Sequence, residues 1–297
     1  MLSDKVCVVT GGGHGLGEVT AKELGALGAS VVVNDLGTSV TGGGASEEPA
    51  AETANAIEEA GGEAMPHYGD ITSLEYTEQL VEDTVDAYGR IDGVVNYAGV
   101  LADSICYKMS GDEWDRVIRV HLRGHFSLLR NVAAHWREQA SDDGLATQRS
   151  FLCVSSRAAY GNVGQANYSA AKAGVLGLMR SSAKELHRHN VRVNALVPSG
   201  YTRMIEEIPE GQRPIEPEDM PPEKVAPLVG YIMSDEAEDI TGCTLRAVDD
   251  AIGLMAEPEA DRVAFKDGGW TAEEIAERFR ETVGRGENLE KVGSMPF

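Results

Sequence analysis

The stretch that decides the fold runs from Lys5 to Gly17 and reads KVCVVTGGGHGLG. Its first five residues are mostly apolar and β-favouring, which predicts a buried strand, and the glycines after Thr10 predict a tight turn. A helical pattern follows from about Gly15 to Leu27. Such a turn is typical of dinucleotide binding, because glycines let the backbone approach a pyrophosphate at a helix N-terminus. The alternative is a tight turn without a ligand.

Strand-like runs and helical patterns alternate along the rest of the chain. Strands are predicted at 5–9, 30–34, 64–67, 91–95, 150–154, 191–197 and 244–248, and helices at 15–27, 50–60, 73–88, 112–137, 165–189 and 271–283. Parallel strands joined by right-handed helical crossovers form a sheet covered on both faces. We therefore predict an α/β fold, a Rossmann-type doubly wound parallel sheet in a single domain over 1–250. A C-terminal extension over 251–297 holds one helix, opened by a capping box at Thr271–Glu274.

Two segments interrupt this alternation. Residues 37–49 are small and polar, and predict a mobile loop after the second strand. Residues 203–222 hold five of the eleven prolines and predict an irregular flap.

The charge balance limits the partners of the protein. The 297 residues include 48 acidic and 26 basic ones, for a formal net charge of −22. A field of this sign repels nucleic acid and anionic membranes, so we expect neither as a partner. No apolar run reaches the ~18 residues of a membrane helix, and no signal peptide precedes the first strand, so we expect a cytoplasmic protein. The acidic composition favours either adaptation to concentrated salt, as in a halophilic protein, or a mesophilic protein with an acidic surface.

The four cysteines predict neither a metal centre nor disulfides. Cys7, Cys106, Cys153 and Cys243 lie far apart and show no ligand or redox spacing. Buried thiols in a reducing compartment are the expectation.

Acidic and polar side chains follow the predicted strands at the edge where such sheets bind ligands. Asp35 ends the second strand, eighteen residues after Gly17, where a carboxylate accepts the ribose hydroxyls of NAD and repels a 2′-phosphate. A loop or capping role for Asp35 is the alternative, and His14 could add positive charge near such a phosphate. The candidate cofactor residues at this edge are Gly11, His14, Gly15, Leu16, Gly17, Asp35, Asp70, Ile71, Asn96, Ala98 and Gly99.

The clearest chemical signal is a tyrosine and a lysine four residues apart on one predicted helix. Tyr168 and Lys172 share a helix face, and Ser155 ends the fifth strand thirteen residues before the tyrosine. A phenol has a pKa of about 10, which a neighbouring ammonium lowers toward the working range of a general base. An exposed Tyr–Lys pair is the alternative, but it does not explain why Ser155 falls at the same sheet edge.

Together these residues resemble the short-chain dehydrogenase/reductase family over about residues 3–250. The resemblance implies that Tyr168 is the acid/base, that Lys172 lowers its pKa and holds the nicotinamide ribose, and that Ser155 positions the reacting oxygen. It also implies cofactor contacts from Pro198, Gly200 and Thr202. That loop departs from the family, which usually has glycine directly after the proline.

A second departure concerns the long helix at 112–137. The family usually has an asparagine there that links the lysine to solvent, and this chain has His121 in its place. His121 is either a catalytic proton relay or a histidine whose hydrogen bonds are satisfied within the core. The runs at 34–37, 120–126 and 160–168 are most similar to one branch, the (3R)-hydroxyacyl-CoA dehydrogenase domain of peroxisomal multifunctional enzyme type 2 and its prokaryotic relatives.

These observations predict an NAD-dependent oxidoreductase that moves a hydride between a secondary alcohol and the nicotinamide. A 3-hydroxyacyl thioester is the leading substrate class, with Arg157 and Arg203 as candidate cations for the anionic CoA group. The alternatives are an NADP-dependent ketoacyl reductase and a non-catalytic NAD-binding sensor or scaffold. The resemblance further implies a homodimer or homotetramer that pairs through the long helices.

Overall fold

The computed structural model describes residues 1–142, 145–201 and 219–286. Its centre is an eight-stranded sheet with the order β3-β2-β1-β4-β5-β6-β7-β8. The strands are β1 (Val6–Thr10), β2 (Ser30–Asp35), β3 (Glu63–Tyr68), β4 (Gly93–Asn96), β5 (Arg149–Val154), β6 (Val191–Ser199), β7 (Thr244–Val248) and β8 (Ala251–Leu254). All pairings are parallel except that of β7 with β8. The predicted doubly wound α/β fold is confirmed.

Helices cover both faces of this sheet. They are α1 (Gly15–Ala26), α2 (Glu48–Glu59), α3 (Leu74–Tyr88), α4 (Gly111–Ile118), α5 (Gly124–Asp142), α6 (Ala166–Leu186), α7 (Ala226–Met233) and α8 (Ala272–Arg278). One core cluster joins the sheet to α1, α2 and α7, and a second joins it to α3, α5 and α6. In the second cluster Trp136 is fully buried, and its indole Nε1 donates to the carbonyl of Ile91 at 2.7 Å. None of the helices within the described ranges is long and apolar enough to span a membrane.

The sheet reverses its winding between β1 and β4. Val9 pairs with Val33 of β2 on one side and with Val95 of β4 on the other. The connections after β1 and β4 therefore leave the same edge in opposite directions and open a crevice between them, where open α/β sheets bind ligands.

The helix predicted over 112–137 is interrupted. Between α4 and α5, residues Arg119–Arg123 form a π-helical segment, and His121 lies within it. Hydrophobic periodicity cannot detect such a segment, because the apolar pattern resumes in α5 after the extra residue.

The edge strand β8 has no counterpart among the predicted elements. Its four residues are exposed, including Ile252 at 74% and Leu254 at 71%, so no burial pattern marks it. The turn before it contains Asp249 at φ 47°.

Contacts divide the chain into a unit over Met1–Met255 and a second unit from Ala256 onward. The second unit contains α8, opened by the capping box that the sequence predicts, in which Thr271 and Glu274 bond reciprocally. The predicted division into a dehydrogenase domain over 1–250 and an extension over 251–297 stays a prediction. Residues 203–218 of the predicted flap at 203–222 lie outside the described residues.

Candidate active site

A cavity of about 620 Å³ opens at the crevice between β1 and β4. Ten of the predicted cofactor residues line it, namely Gly11, His14, Gly15, Leu16, Gly17, Asp35, Asp70, Ile71, Ala98 and Gly99. Gly200 lies next to it, since a Cβ there would come within 3.2 Å of the Leu16 side chain. Asn96, Pro198, Tyr168 and Lys172 do not line it, and Thr202 lies outside the described residues.

The glycines of the first turn are required by close backbone packing. Gly11 has φ +66°, and a Cβ on it would lie 2.6 Å from the backbone nitrogen of Ala98. A Cβ on Gly17 would lie 2.0 Å from the carbonyl oxygen of Gly11. Only glycine fits either position, so the turn brings bare backbone to the cavity at the N-terminus of α1, where anions are favoured.

Asp35 holds this turn as well as facing the cavity. Its carboxylate accepts the N–H of Gly13 at 2.8 Å and the N–H of Gly37 at 2.7 Å. The position at the end of β2 agrees with the ribose-binding prediction, and the two bonds give Asp35 the loop role that was the alternative as well.

The loop after β2 closes over the cavity. Val40 is buried at 6% exposure and lines the cavity together with Thr38 and Gly42. The carbonyl of Val40 accepts from Leu101 at 2.9 Å, and that of Thr41 accepts from Arg116 of α4 at 3.0 Å. These bonds join the loop to the opposite wall of the cavity, and its mobility stays a prediction.

Tyr168 and Lys172 lie on one face of α6, as predicted. The Lys172 side chain is 3% exposed, and its Nζ lies 5.5 Å from the centroid of the Tyr168 ring. The ammonium donates to the carbonyl of Val154, the last residue of β5, at 2.8 Å. The pair is therefore held against the end of the central strand.

Two serines follow Val154, and they have different partners. The Ser155 hydroxyl is buried and donates to the carbonyl of Lys172 at 2.9 Å. The Ser156 hydroxyl accepts from the N–H of Ala158 at 3.2 Å and lies near enough to the Tyr168 phenol to act on its pKa. The structure thus brings Ser155 to the site, at the Lys172 backbone, and adds Ser156 near the phenol, which the sequence analysis did not single out. Its position next to Ser155 was the available signal.

Burial dominates the pKa values of Tyr168 and Lys172 in the ligand-free protein. It raises the pKa of Tyr168 to about 12, with the Ser156 hydroxyl acting in the opposite direction. It also lowers the pKa of Lys172 to about 7. Desolvation penalises both charged forms, and the ammonium bonds to the carbonyl of Val154. The expected lowering of the Tyr168 pKa by Lys172 stays a prediction.

His121 contacts Tyr168 as well as the backbone of the cavity wall. It is 1% exposed, its Nε2 lies 2.8 Å from the carbonyl oxygen and 3.2 Å from the nitrogen of Val100, and its ring packs edge-on against Tyr168 at 4.9 Å. Burial lowers the pKa of His121 well below its ordinary value. A relay would need a partner for Nδ1, and the described residues supply none.

The residues at this edge fit a nicotinamide dinucleotide. The bare backbone at Gly11 and Gly17 and the N-terminus of α1 suit its pyrophosphate. The carboxylate of Asp35 suits its ribose. The amide Nδ2 of Asn96 is buried at the end of β4 without a partner in the described part of the chain, just before Tyr97 and Ala98, which line the cavity. The arrangement is that of an α/β oxidoreductase with a dinucleotide site.

Known proteins are similar to this chain in sequence and in fold. A family model for short chain dehydrogenase matches residues 5–213. The chain is 37% identical over 286 residues to the hydroxyacyl-CoA dehydrogenase ChsB1 of Mycobacterium tuberculosis, covering 94% of this chain and 89% of that protein. It is 39% identical over 239 residues to peroxisomal multifunctional enzyme type 2 of Mus musculus, covering 80% of this chain and 31% of that longer protein. The crystal structure of a short chain dehydrogenase from Mycobacterium avium matches with a TM-score of 0.84 and 35% identity over 97% of both chains.

The chain belongs to the short-chain dehydrogenase family, which confirms the resemblance found from its motifs. It is an oxidoreductase that acts on a CH–OH group and transfers a hydride between a secondary alcohol and a nicotinamide cofactor.

Proposed function

We propose that the protein is an NAD-dependent dehydrogenase of 3-hydroxyacyl thioesters, with Tyr168 as acid/base. The observation that carries the catalytic assignment is the pair of a partly buried Tyr168 and a buried Lys172, held against the end of β5 beside two serine hydroxyls. Support for the substrate class comes from ChsB1, whose name specifies a hydroxyacyl-CoA and which aligns over 94% of the chain.

The protonation of Tyr168 suits proton donation. Because burial raises the pKa of the phenol to about 12, it carries its proton at neutral pH and can deliver it to the oxygen of a ketone. In the oxidative direction the phenolate must form and accept the alcohol proton, which a positive charge beside the ring favours. Lys172 supplies part of that charge, since a pKa of about 7 leaves it partly protonated near neutrality. A bound nicotinamide would accept or donate the hydride.

We assign Ser155, Ser156 and His121 positioning roles around Tyr168 and Lys172. Ser155 and Ser156 place hydroxyls next to the Lys172 backbone and the phenol, where they can orient the reacting oxygen. We assign His121 a positioning role, because its ring fixes Val100 and the edge of Tyr168 while it stays neutral.

NAD should be preferred over NADP by at least about 100-fold in kcat/KM, since a 2′-phosphate facing the Asp35 carboxylate costs several kcal/mol. Asp35→Ala should lower this preference by raising kcat/KM for NADP. It should also lower the efficiency with NAD, because the N–H groups of Gly13 and Gly37 lose their acceptor. Steady-state kinetics with both cofactors measure this, with the exposed Asp86→Asn of α3 as the control for charge. Equal kcat/KM for NAD and NADP would favour the ketoacyl reductase alternative.

A CoA thioester has to overcome the negative field of the protein. The net charge of −22 opposes the approach of an anionic substrate, so local cations are needed at the carboxyl edge. Arg157 is exposed and lies two residues after Ser155. Arg203, the other predicted candidate, lies outside the described residues.

The substrate test is NADH formation with the (R) and (S) forms of 3-hydroxybutyryl-CoA and with a neutral secondary alcohol, at low and high salt. We expect one thioester enantiomer to be oxidised with a KM that falls as salt screens the repulsion. Arg157→Ala should raise this KM roughly two- to fivefold, the size of an exposed charge pair, with little change in kcat. Arg188→Ala, which lies before β6 at the opposite sheet edge, should have no effect.

Activity on the neutral alcohol alone would remove the thioester assignment and leave the general dehydrogenase. The sensor or scaffold alternative predicts cofactor binding with no turnover of any secondary alcohol or ketone.

The protein is further proposed to be a cytoplasmic homodimer or homotetramer. Apolar side chains remain exposed on the long helices, with Trp114 of α4 at 40% and Phe126 of α5 at 46%. All four cysteines are free thiols, as suits a reducing compartment. Adaptation to concentrated salt stays a prediction of the acidic composition.

A further inference from the structure

His125 is a buried histidine to which the proposed chemistry gives no role. It is the second residue of α5, directly after the π-helical segment, and its side chain is 0% exposed. It lies in the run at 120–126 that resembles one branch, but the resemblance gives it no role, and it does not line the cavity.

Both ring nitrogens of His125 have backbone partners. Nδ1 lies 2.6 Å from the carbonyl oxygen of His121, and Nε2 lies 3.2 Å from the nitrogen of Val154. A carbonyl can only accept and an amide N–H can only donate, so Nδ1 carries the proton and Nε2 accepts. Burial and the nearby Lys172 lower the pKa of His125 to about 3, which keeps this neutral tautomer at working pH.

The N–H of Val154 lies where the β4–β5 ladder ends. Alternate N–H groups of β5 point toward β4, as that of Ser150 does in donating to the carbonyl of Asp92 at 2.8 Å. The last pair of this ladder is Asn96 with Cys153, so Val154 has no paired residue on β4. The Nε2 of His125 accepts from the Val154 N–H at 3.2 Å and so holds the strand at the point where its ladder ends.

Val154 also holds the active-site lysine. Its carbonyl accepts from the Lys172 Nζ at 2.8 Å, so one residue bonds to His125 through its N–H and to Lys172 through its C=O. We propose that His125 is a positioning residue, which fixes the end of β5 and through it the place of the Lys172 ammonium beside Tyr168. This role rests on the proposed function, in which Lys172 acts on Tyr168.

Three variants separate positioning from packing. His125→Phe keeps a buried ring and removes both hydrogen bonds. His125→Gln can place its Oε1 near the former Nε2 and accept from Val154. His125→Asn can replace only the donor that faces His121. His135→Phe is the matched control, because His135 lies on the same helix ~15 Å away and its Nε2 has no partner within the described structure.

Two measurements are made on each variant. The first is kcat and KM for the cofactor and the thioester. The second is the titration of Lys172 in the cofactor-free protein, followed through the Cε resonance, which is practical because the chain has only eight lysines. Cys153, Tyr168 and His121, which surround the ammonium, are unchanged in all variants.

We expect His125→Phe and His125→Asn to lower kcat at least about tenfold, because misplacing a reacting group by 1 Å can cost about 10²-fold. Both should shift the Lys172 midpoint downward by at least ~0.5 pH unit, since the ammonium loses a well-placed acceptor. His125→Gln should stay within about twofold of the wild type in kcat, with the Lys172 midpoint unshifted. The His135→Phe control should match the wild type.

A loss of kcat in all three variants without a shift of the Lys172 midpoint would show that His125 only fills space, and would overturn the proposal. Thermal unfolding identifies any variant that fails to fold. If His125→Phe does not fold, the comparison of His125→Gln with His125→Asn still tests the positioning role. A wild-type protein without dehydrogenase activity would refute the proposed function, while the Lys172 titration would still test His125.

Discussion

Replacing Tyr168 with phenylalanine is expected to lower kcat by at least ~10²-fold, the usual contribution of a positioned acid or base. The variant keeps the ring that packs against His121 and Val100 and removes only the hydroxyl. Cofactor binding should therefore change little. Turnover in both directions, together with a fluorescence titration of NADH, measures the two effects separately.

Tyr88→Phe is the matched control for this substitution. Tyr88 ends α3 and lies outside the candidate site, so its phenylalanine variant should retain wild-type turnover. Near-normal kcat in Tyr168→Phe would show that another group moves the proton. Loss of NADH binding together with kcat would point instead to a collapsed site.

Gly17→Ala is expected to lower kcat/KM for the cofactor by at least ~10²-fold, the cost of displacing a binding surface by about 1 Å. The added Cβ would lie 2.0 Å from the carbonyl oxygen of Gly11, and neither atom can move without the backbone that carries it, so the turn and α1 must separate. The free energy of unfolding should fall by about 1–3 kcal/mol, the usual cost of overpacking. Denaturant unfolding and cofactor titration test the two parts.

Gly177→Ala is the matched control, for which no loss of cofactor binding or stability is expected. Gly177 lies in α6 with open space around it, so alanine should be tolerated or should stabilise the helix by up to ~1 kcal/mol. A Gly17→Ala protein that bound cofactor like the wild type would show that the turn can relax, and would weaken the assignment of this turn as the pyrophosphate site.

The sheet and the cavity were predictable because their signals are local. Strands such as β1 and β5 are fully buried apolar runs, and the glycine turn and Asp35 follow directly from their places after β1 and β2. β8 was missed because its four residues are exposed and have no alternating pattern.

The missed parts of the site depend on contacts between distant segments. His125 and Val154 are 29 residues apart, and only the folded chain shows that one completes the hydrogen bonding of the other. The surroundings of Tyr168 depend on distant segments too. Spacing on a helix places Lys172 near the phenol, but the burial that dominates the pKa of both groups and the carbonyl of Val154 that accepts from the ammonium belong to the tertiary structure.

Because of the π-helical segment at Arg119–Arg123, the number of residues between α4 and α5 determines which side chains of α5 face the core and the active site. Each α-helical residue turns the chain by about 100°, so if this segment became α-helical without losing a residue, all of α5 would rotate by roughly that angle. Leu128, Val132 and Trp136, each 0% exposed, would leave the core, and His125 would turn away from Val154. A relative with an uninterrupted helix at this point would need one residue fewer to keep the same core. A one-residue gap in an alignment of this helix therefore marks a change in active-site backbone, although gaps elsewhere usually mark surface loops.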